Sequence, residues 1–600
     1  MNALTILLIA SAILVVGYIF YGGWLAKQWG VDDSNVTPAH ALEDGVDYVP
    51  AKPYVVIGHH FSSIAGAGPI NGPIQAAIFG WVPVLLWVLI GGIFFGAMHD
   101  FGALFASLRN KGQTLAAVIE KNIDPLAKKL FCIFSFLTLV LVVAAFASIV
   151  AGTFNAFSVD ATTGQTTVNV ANTRTAMISV LFIFAAVIWG LVVRGREIPT
   201  IANVLGAIAV IVVIVFIGYN FPVIELGTNT WMLIIGVYIL IASVAPVWIL
   251  LQPRDYLSSY LLYGVIVLAV IGIVGATIFG NTSFAEVPAF TAFDTTTLFA
   301  DAKVFGGRGL LFPALFITIA CGAISGFHSL VASGTTSKQL DHERDAQPIA
   351  YGGMLLECLL AVISLCAVAY VWSAVTSGEY ATPTQVFAGG LSAMIGVIPG
   401  LGAIGGHAGS IAYSLLILAV SAFCLTSLDT ATRICRMMFQ EMFLSGDETP
   451  ETVTGWKRVV CNPFVATIVS VALGVGLGMT GYAYIWPLFG AANQLLAALA
   501  LLTVCSFLGK IGRNNKMFYF PMAFMLVVTL TSLALTVKAK LAIVTVPAAL
   551  AKVVAAGTPV WAPYAQLILA VVLFVLAIIL AVRACMHIFG KEGAKNQAAA

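Results

Sequence analysis

The run HHFSSIAGAGPINGP (59–73) holds the residues of this sequence whose types could most directly do chemistry. Its closely spaced glycines and two prolines interrupt a regular helix, and an interrupted helix exposes backbone N–H and C=O groups that can bind a substrate or an ion. Close packing of helices through small residues is the alternative explanation. We expect a substrate site here, and its predicted ligands are Ser62, Ser63, Gly66, Gly68 and Asn71.

A second run of small residues, CGAISGFHSLVASG (321–334), surrounds the lone histidine His328. A helix interrupted here would bring Ser325 and Ser329 to the same substrate. Helix packing through a smooth face, with a hydrogen-bonded core histidine, explains the run equally well. The residues leave both interpretations open.

Proton coupling is the second chemistry that the sequence suggests. His59, His60 and His328 have an ordinary pKa of about 6.5, close to neutral pH, and Glu357 has no oppositely charged partner in its own predicted helix. Ionisable residues at membrane depth are costly and therefore mark functional sites. We predict that these four are the proton-coupling residues. The alternative is that the histidines only hydrogen-bond the carbonyl groups of unwound backbone.

Other deep polar residues are predicted to have gating or structural roles. Asp100 follows an apolar span directly after His99, and adjacent side chains on a helix do not face one pocket equally. Pro253 is predicted to end a helix just before the pair Arg254 and Asp255, which either pins a loop or binds a carboxylate.

The last group of such residues lies in the C-terminal third of the chain. Asp429 and Arg433 are four positions apart on one helix face, so they are expected to neutralise each other. Asn493 and Gln494 place two amides in a predicted helix, where hydrogen bonds between helices are expected.

We predict no metal and no cofactor. Four histidines at membrane depth could converge (His59, His60, His99 and His328), but there is no H-E-x-x-H motif, no thiolate partner and no fixed ligand spacing. The nine cysteines show no C-x-x-C spacing, so neither a disulfide framework nor a zinc knuckle is supported. The net charge of +2, without a long basic run, excludes nucleic acid as a partner.

Membrane helices must position all of these side chains. Of the 600 residues, 60% are hydrophobic and only 9% are charged, and the mean hydropathy is +1.01. A soluble chain could not bury so much apolar surface. At roughly 35 residues per helix and loop, the sequence predicts an all-α polytopic membrane protein with about 15–18 spans, two of them broken near 59–73 and 321–334. We therefore expect the lipid bilayer to surround the protein.

Charge along the chain predicts its orientation. The first helix is expected to be retained, and because Lys27 follows it, the N-terminus is placed outside and the C-terminus in the cytoplasm. Residues 1–443 are predicted to form the transport core, 444–458 a cytoplasmic connection, and 459–600 further membrane helices with a short cytoplasmic tail. No segment is long enough for a soluble domain.

Six runs, in order along the chain, closely resemble the carbon starvation protein A family. They are GHHFSSIAGAGPINGPIQA (58–76), GAMHDFGALFASLRNKG (96–112), QPRDYLSSYLL (252–262), CGAISGFHSLVASGTTSKQL (321–340), TSLDTATR (426–433) and WPLFGAANQLLAALAL (486–501). The resemblance implies a bacterial inner-membrane transporter that is induced on nutrient depletion. Members of the family are linked to uptake of peptides or of pyruvate, with proton coupling suggested for the pyruvate carriers.

Related amino-acid/polyamine/organocation transporters further imply a core of two inverted five-helix repeats. About seven predicted spans separate the two interrupted runs, whereas four would fit such a repeat. We predict secondary active uptake of small carboxylate-bearing nutrients, short peptides or pyruvate, in response to carbon starvation, with protons as the coupling ion and no catalytic residue. The alternative is a metal-dependent membrane enzyme or a nutrient sensor.

Overall fold

The computed structural model of the protein describes most of the chain. The described residues are 2–45, 47–159, 165–193, 196, 199–246, 249–280, 282–284, 286–298, 305, 309–406, 410–445, 448–555 and 558–589. The predicted cytoplasmic tail, from residue 590 onward, lies outside them.

Long apolar helices make up the architecture. Within the described residues, eleven helices are long and apolar enough to cross a membrane. They are Ala3–Trp29, Trp81–Leu108, Pro125–Phe154, Val170–Val193, Ile201–Asn220, Leu251–Phe279, Glu343–Tyr370, Ile411–Glu441, Tyr484–Lys510, Lys516–Thr545 and Trp561–Met586. The chain is a multi-pass, all-α membrane protein, which confirms the predicted fold class.

Five shorter apolar elements add to this bundle. Two are the continuous helices Thr228–Val244 and Pro463–Gly478, one is Pro383–Gly396, and two are helices that are broken near the middle. With these five, the apolar elements of the described residues reach the predicted range of about 15–18.

Short elements connect the long ones. The short helices are Pro38–Ala41, Leu115–Asn122, Trp372–Ser377, Trp456–Val460 and Pro547–Ala555, and tight 3₁₀ turns lie at Ala77–Phe79, Thr336–Lys338, Glu343–Asp345 and Lys516–Phe518. Wider π-helical turns occur at Gly17–Gly22, Trp87–Gly96 and Gln347–Tyr351. Two strands, Phe157–Val159 and Thr166–Val168, form one small antiparallel hairpin in a loop.

Broken helix A consists of Pro53–Ile64 and Gly68–Ala76. Pro53 lies in its first turn, where the missing N–H would have had no helical partner anyway. Ala65 ends the first half with φ −78° and ψ 63°. The interruption is therefore confined to residues 65–67, and the predicted irregular run 59–73 is helical on both sides of it.

Broken helix B consists of Leu311–Thr318 and Gly326–Gly334. Ile319 leaves the helical conformation with φ −85° and ψ 68°, and Ser325 is extended just before the second half begins. The break spans residues 319–325, so only the start of the predicted run 321–334 is irregular, and His328 lies on a helix.

The two breaks contact each other through their glycines. A Cβ atom placed on Gly68 would lie 2.4 Å from Cys321 Sγ, and one on Gly72 would lie 2.9 Å from the Thr318 carbonyl oxygen. A Cβ on Gly322 would lie 3.4 Å from Pro69 Cα. Only residues without a side chain allow the two interrupted backbones to approach this closely.

The helices that follow the breaks occur twice in the same order. Broken helix A is followed by Trp81–Leu108 and then Pro125–Phe154; broken helix B is followed by Glu343–Tyr370 and later by Ile411–Glu441. Trp81–Leu108 packs against Glu343–Tyr370, and Pro125–Phe154 packs against Ile411–Glu441. Each element thus contacts its counterpart, which supports the predicted repeat.

Six spans rather than about seven separate the two breaks within the described residues. Trp81–Leu108 is a single helix with a π-helical segment at Trp87–Gly96, so it counts as one span. Helix Tyr484–Lys510, from the predicted C-terminal part, is packed against Gly326–Gly334 of broken helix B. The core of the bundle therefore includes residues beyond 459.

A side chain at Gly72 should destabilise the contact between the breaks. In Gly72→Ala the new Cβ meets backbone atoms of Thr318 and Ile319 at 2.9 and 3.0 Å, which cannot rotate away, so we expect a loss of about 1–3 kcal/mol from overpacking. Gly476→Ala is the matched control, because it is also helical and its Cβ would meet no atom within 4 Å. Thermal unfolding in detergent compares the two, and equal melting temperatures would contradict the close approach.

Candidate functional site

A fully buried cluster, here called the central cluster, joins His99, Asp100, His328 and Glu357, all 0% exposed. His99 Nδ1 lies 2.7 Å from one oxygen of Asp100, and His328 Nδ1 lies 2.9 Å from the other. The second ring nitrogen of His328, Nε2, lies 3.3 Å from Glu357 Oε2. One carboxylate therefore holds two histidines, and one histidine links two carboxylates.

Close helix packing brings the central cluster together. A Cβ on Gly96 would lie 2.3 Å from the Ala323 carbonyl oxygen, so Trp81–Leu108 passes directly beside break B. Asp100, predicted as a gating or structural residue, is instead at the centre of a cluster of ionisable groups. Its neighbour His99 faces the same cluster, contrary to the expectation from their spacing, because the ring folds back onto the adjacent carboxylate.

Cys321 adds a thiol to this region. One ligand atom each from Cys321, His328 and Glu357 lies within 4.8 Å of the others. Neither oxygen of Glu357, nor Nε2 of His328, has a hydrogen-bond partner among the described residues. No thiol partner for the histidines was evident in the sequence, whereas the fold places the thiol of Cys321, in the break, near His328 and Glu357.

A second buried network, here called the Arg254 network, ties broken helix A to its neighbours. His59 Nδ1 lies 2.6 Å from Asp255 Oδ2. Arg254 forms an ion pair with Asp429, and the Tyr238 hydroxyl donates to Asp429 Oδ2 over 2.6 Å. Arg254 and Asp255 are adjacent in sequence, but their side chains pair with residues on different helices.

Three expectations about these residues are corrected. Pro253 does not end a helix; it lies in the first turn of Leu251–Phe279, so the pair that follows it is helical and pins no loop. Asp429 is not neutralised by Arg433, because it pairs with Arg254. Arg433 instead donates to the Ala245 carbonyl and lies 3.6 Å from Asp47.

The predicted substrate residues of run 59–73 surround break A. Ser62 donates to the Asp255 carbonyl over 3.3 Å, and the hydroxyls of Ser63 and Thr430 are 3.2 Å apart. A Cβ on Gly66 would lie 3.0 Å from the Ser427 hydroxyl oxygen. That hydroxyl is buried and has no hydrogen-bond partner among the described residues, so a polar group is free beside the break.

The side chains of His60 and Asn71 have different neighbours. His60 Nδ1 lies 2.9 Å from the Thr336 hydroxyl, and its Nε2 has no partner among the described residues. Asn71 accepts a hydrogen bond from Thr384 and lies on a cavity of about 250 Å³. The residues that line this cavity, among them Thr228, Gln385 and Tyr482, are all uncharged.

The amides of Asn493 and Gln494 pair with break B. Asn493 accepts from the Phe327 N–H over 2.9 Å and donates to the Ala320 carbonyl over 3.0 Å. Its amide also lies 3.0 Å from Ser325 Oγ, while Gln494 donates to the carbonyls of Phe316 and Ile319. The two amides thus hydrogen-bond groups of the interrupted backbone that would otherwise lack partners. These are the hydrogen bonds between helices that the sequence led us to expect.

Ser325 and Ser329 are therefore not equivalent to the serines of break A. Ser325 is bonded to Asn493, and Ser329 donates to the Gly326 carbonyl of its own helix over 2.7 Å. The second half of broken helix A is different, because no side chain caps the start of helix Gly68–Ala76.

Sequence reasoning missed several residues of this site. Tyr238, Thr426 and Ser427 were not singled out, and Cys321 was set aside with the other cysteines for lack of C-x-x-C spacing. Thr426 and Ser427 lie in the run TSLDTATR, whose density of hydroxyl groups beside a carboxylate was the available signal. Nothing in the sequence marks Tyr238.

Comparison with known proteins identifies the family. The profile described as "Carbon starvation protein CstA" matches residues 2–378 and 372–532. The chain is 33% identical over 564 residues to the "Peptide transporter CstA" of Bacillus subtilis (strain 168), covering 86% of this chain and 87% of that one. The chain belongs to the carbon starvation protein CstA family. This confirms the resemblance found from the sequence.

The names of relatives of this chain state different substrates. The "Pyruvate/proton symporter BtsT" of Escherichia coli (strain K12) is 30% identical to this chain over 615 residues, covering 89% of this chain and 81% of that one.

Among solved structures, a manganese transporter of Eremococcus coleocola gives a TM-score of 0.48 at 11% identity, covering 91% of this chain and 99% of that one.

The ion pair of Arg254 and Asp429 should contribute strongly to folding stability. Both side chains are 1% exposed, so Arg254→Met leaves a buried carboxylate uncompensated at a cost of about 3–5 kcal/mol. The double variant Arg254→Met/Asp429→Leu should recover part of this loss, because no unpaired charge remains. Thermal unfolding of the single and double variants measures the coupling.

The surface pair of Arg344 and Asp33, at 2.9 Å, provides the control. Arg344→Met should change stability by no more than about 1 kcal/mol, because Arg344 is 72% exposed. If Arg254→Met lowers the thermal stability no more than Arg344→Met does, the buried pair does not hold these helices together.

Proposed function

We propose that this protein takes up small carboxylate-bearing nutrients, short peptides or pyruvate, by proton-coupled secondary active transport. Relatives over most of the chain are a peptide transporter and a pyruvate/proton symporter by name. Transport, and not catalysis, is the activity we assign. We place the protein in the bacterial inner membrane, with the N-terminus outside, the C-terminus in the cytoplasm, and expression in response to carbon starvation.

The uncapped start of helix Gly68–Ala76 carries the proposal for the substrate site. No side chain caps this helix, and a helix N-terminus attracts an anion through its N–H groups and the helix dipole. The unpartnered hydroxyl of Ser427 lies beside Gly66. A substrate carboxylate placed there would accept hydrogen bonds from the helix N-terminus and from this hydroxyl.

The other predicted ligands fit this site to different degrees. Ser62 and Ser63 lie on the half of broken helix A that leads to the break, and Asn71 lies on the half that leads away toward the neutral cavity. We propose that these residues contact the substrate body. Ser325 and Ser329 lie across the contact between the breaks, and we propose that they define its far wall.

Substrate recognition through a carboxylate gives the central test of the proposal. Purified protein in proteoliposomes should accumulate labelled pyruvate or dipeptide under an imposed proton gradient. Unlabelled substrates with a free carboxylate should compete, whereas the corresponding amides should compete at least tenfold less well, because a neutral amide gains little from a helix N-terminus. Uptake that stops at equilibration under every gradient would contradict active transport.

Break A can be tested in the same assay. Gly66→Leu should raise KM or abolish uptake, because its side chain would occupy the space beside Ser427 and Phe146, both 3.0 Å from a Cβ at this position. Gly23→Leu is the control, since a Cβ there meets no atom within 4 Å. Identical kinetics in the two variants would remove break A from the substrate site.

The coupling proton requires a group that links moving elements. Of the four predicted residues, His59 meets this need best, because its ring joins broken helix A to Asp255 of helix Leu251–Phe279 and lies 3.4 Å from Thr335 at the end of broken helix B. Gain or loss of one proton changes the strength of the His59 to Asp255 contact. We propose His59 as the carrier, with His60, His328 and Glu357 as the remaining candidates.

Replacement of the imidazole should separate exchange from accumulation. His59→Gln should exchange labelled for unlabelled substrate across the membrane but should no longer concentrate it in response to a proton gradient. His40→Gln is the matched control, because His40 also pairs with an aspartate, Asp341 at 2.7 Å, but at the protein surface. Accumulation by His59→Gln at the level of His40→Gln would place coupling at another residue.

A further inference from the structure

We propose that Cys321, His328 and Glu357 form a binding site for a divalent transition-metal cation of the Zn²⁺ type. This site goes beyond the uptake of carboxylates proposed above and uses none of the residues proposed to bind the substrate. A thiolate, an imidazole and a carboxylate are the three ligand types that Zn²⁺ prefers in proteins.

The spacing of the ligand atoms suits such a cation. In a tetrahedral site with Zn–N and Zn–O distances of about 2.0–2.1 Å, the nitrogen and oxygen atoms lie roughly 3.3–3.4 Å apart. His328 Nε2 and Glu357 Oε2 are 3.3 Å apart. Cys321 offers its sulfur within 4.8 Å of both, which supplies the third ligand atom.

Asp100 orients the imidazole for this role. Its carboxylate lies 2.9 Å from Nδ1 of His328, which leaves Nε2 directed toward Glu357. Metal-binding histidines commonly donate their other N–H to a carboxylate, which fixes the ring and raises its affinity for the metal. His99 in turn holds the second oxygen of Asp100 at 2.7 Å, so the second layer of contacts is already present.

Buried polar atoms without a hydrogen bond point into the site. Nε2 of His328 and Oε2 of Glu357 face each other at 3.3 Å, and neither of them, nor Oε1 of Glu357, has a hydrogen-bond partner among the described residues. Buried polar groups without partners are costly, and charged ones more so. A divalent cation would satisfy these atoms, and its charge would balance the thiolate of Cys321 and the carboxylate of Glu357.

The position of the site gives it a mechanical consequence. Cys321 belongs to break B, His328 to the helical half that follows, and Glu357 to helix Glu343–Tyr370. A bound cation would therefore fasten the interruption to the neighbouring helix. Three protein ligands leave a fourth coordination position free for water or an exchangeable group.

Metal binding to the full-length purified protein tests this inference directly. Protein stripped with a chelator is equilibrated with Zn²⁺ and separated from free metal by gel filtration, and its zinc content is measured by mass spectrometry. We expect one zinc ion per chain in the wild type and a melting temperature that rises with zinc concentration. Cys321→Ser and Glu357→Gln should each bind at least tenfold more weakly, and Asp100→Asn roughly 10–100-fold more weakly.

Cys366→Ser is the matched control, because Cys366 is equally buried and its thiol contacts only the Ala3 carbonyl among the described residues. It should bind zinc like the wild type. Co²⁺ offers a second readout: a sulfur-to-cobalt charge-transfer band should appear in the wild type and in Cys366→Ser but not in Cys321→Ser.

Two results would overturn the site. One is zinc binding by the wild type well below one ion per chain; the other is wild-type affinity, or a retained sulfur-to-cobalt band, in Cys321→Ser. Because these measurements need no transport, their failure is distinguishable from failure of the proposed uptake, which is measured in proteoliposomes.

Discussion

Every backbone N–H and C=O group inside a bilayer needs a partner from the protein, because lipid offers none. The two breaks remove such partners in the middle of the bundle. At break B the amides of Asn493 and Gln494 restore them, bonding to the Phe327 N–H and to the carbonyls of Ala320 and Ile319. Helix Tyr484–Lys510, which carries both amides, is completely buried along its most apolar window. The packing of the core follows from this need.

Ionisable residues then connect the two broken helices to their surroundings. His59 joins broken helix A to Asp255, and His328 joins broken helix B to Asp100. Each contact bridges elements that are distant in sequence. A rearrangement of the breaks would change these contacts between charged or titratable groups, which would relate the conformation of the backbone to the charge of the core.

The broad features of this arrangement could be predicted from the sequence. Composition indicated a polytopic helical protein, and the glycines and prolines around Gly66 indicated an interruption, which the structure confines to residues 65–67. The resemblance to a family rested on long runs of sequence, and the comparison confirms that family. What could not be predicted is which side chains meet. Arg254 and Asp429 pair across 175 positions of the chain, whereas local spacing pointed to Arg433, and the thiol of Cys321 was unremarkable until the break placed it beside His328.

The uncharged cavity next to Asn71 bears on which solutes can reach the core. Its lining of hydroxyls, amides and apolar groups creates no strong field of either sign, so it neither concentrates anions nor repels cations over a distance. A zwitterionic dipeptide and a monocarboxylate would meet similar electrostatic conditions there. An uncharged cavity of this kind would allow one scaffold to serve nutrients whose overall charges differ, with discrimination left to short-range contacts.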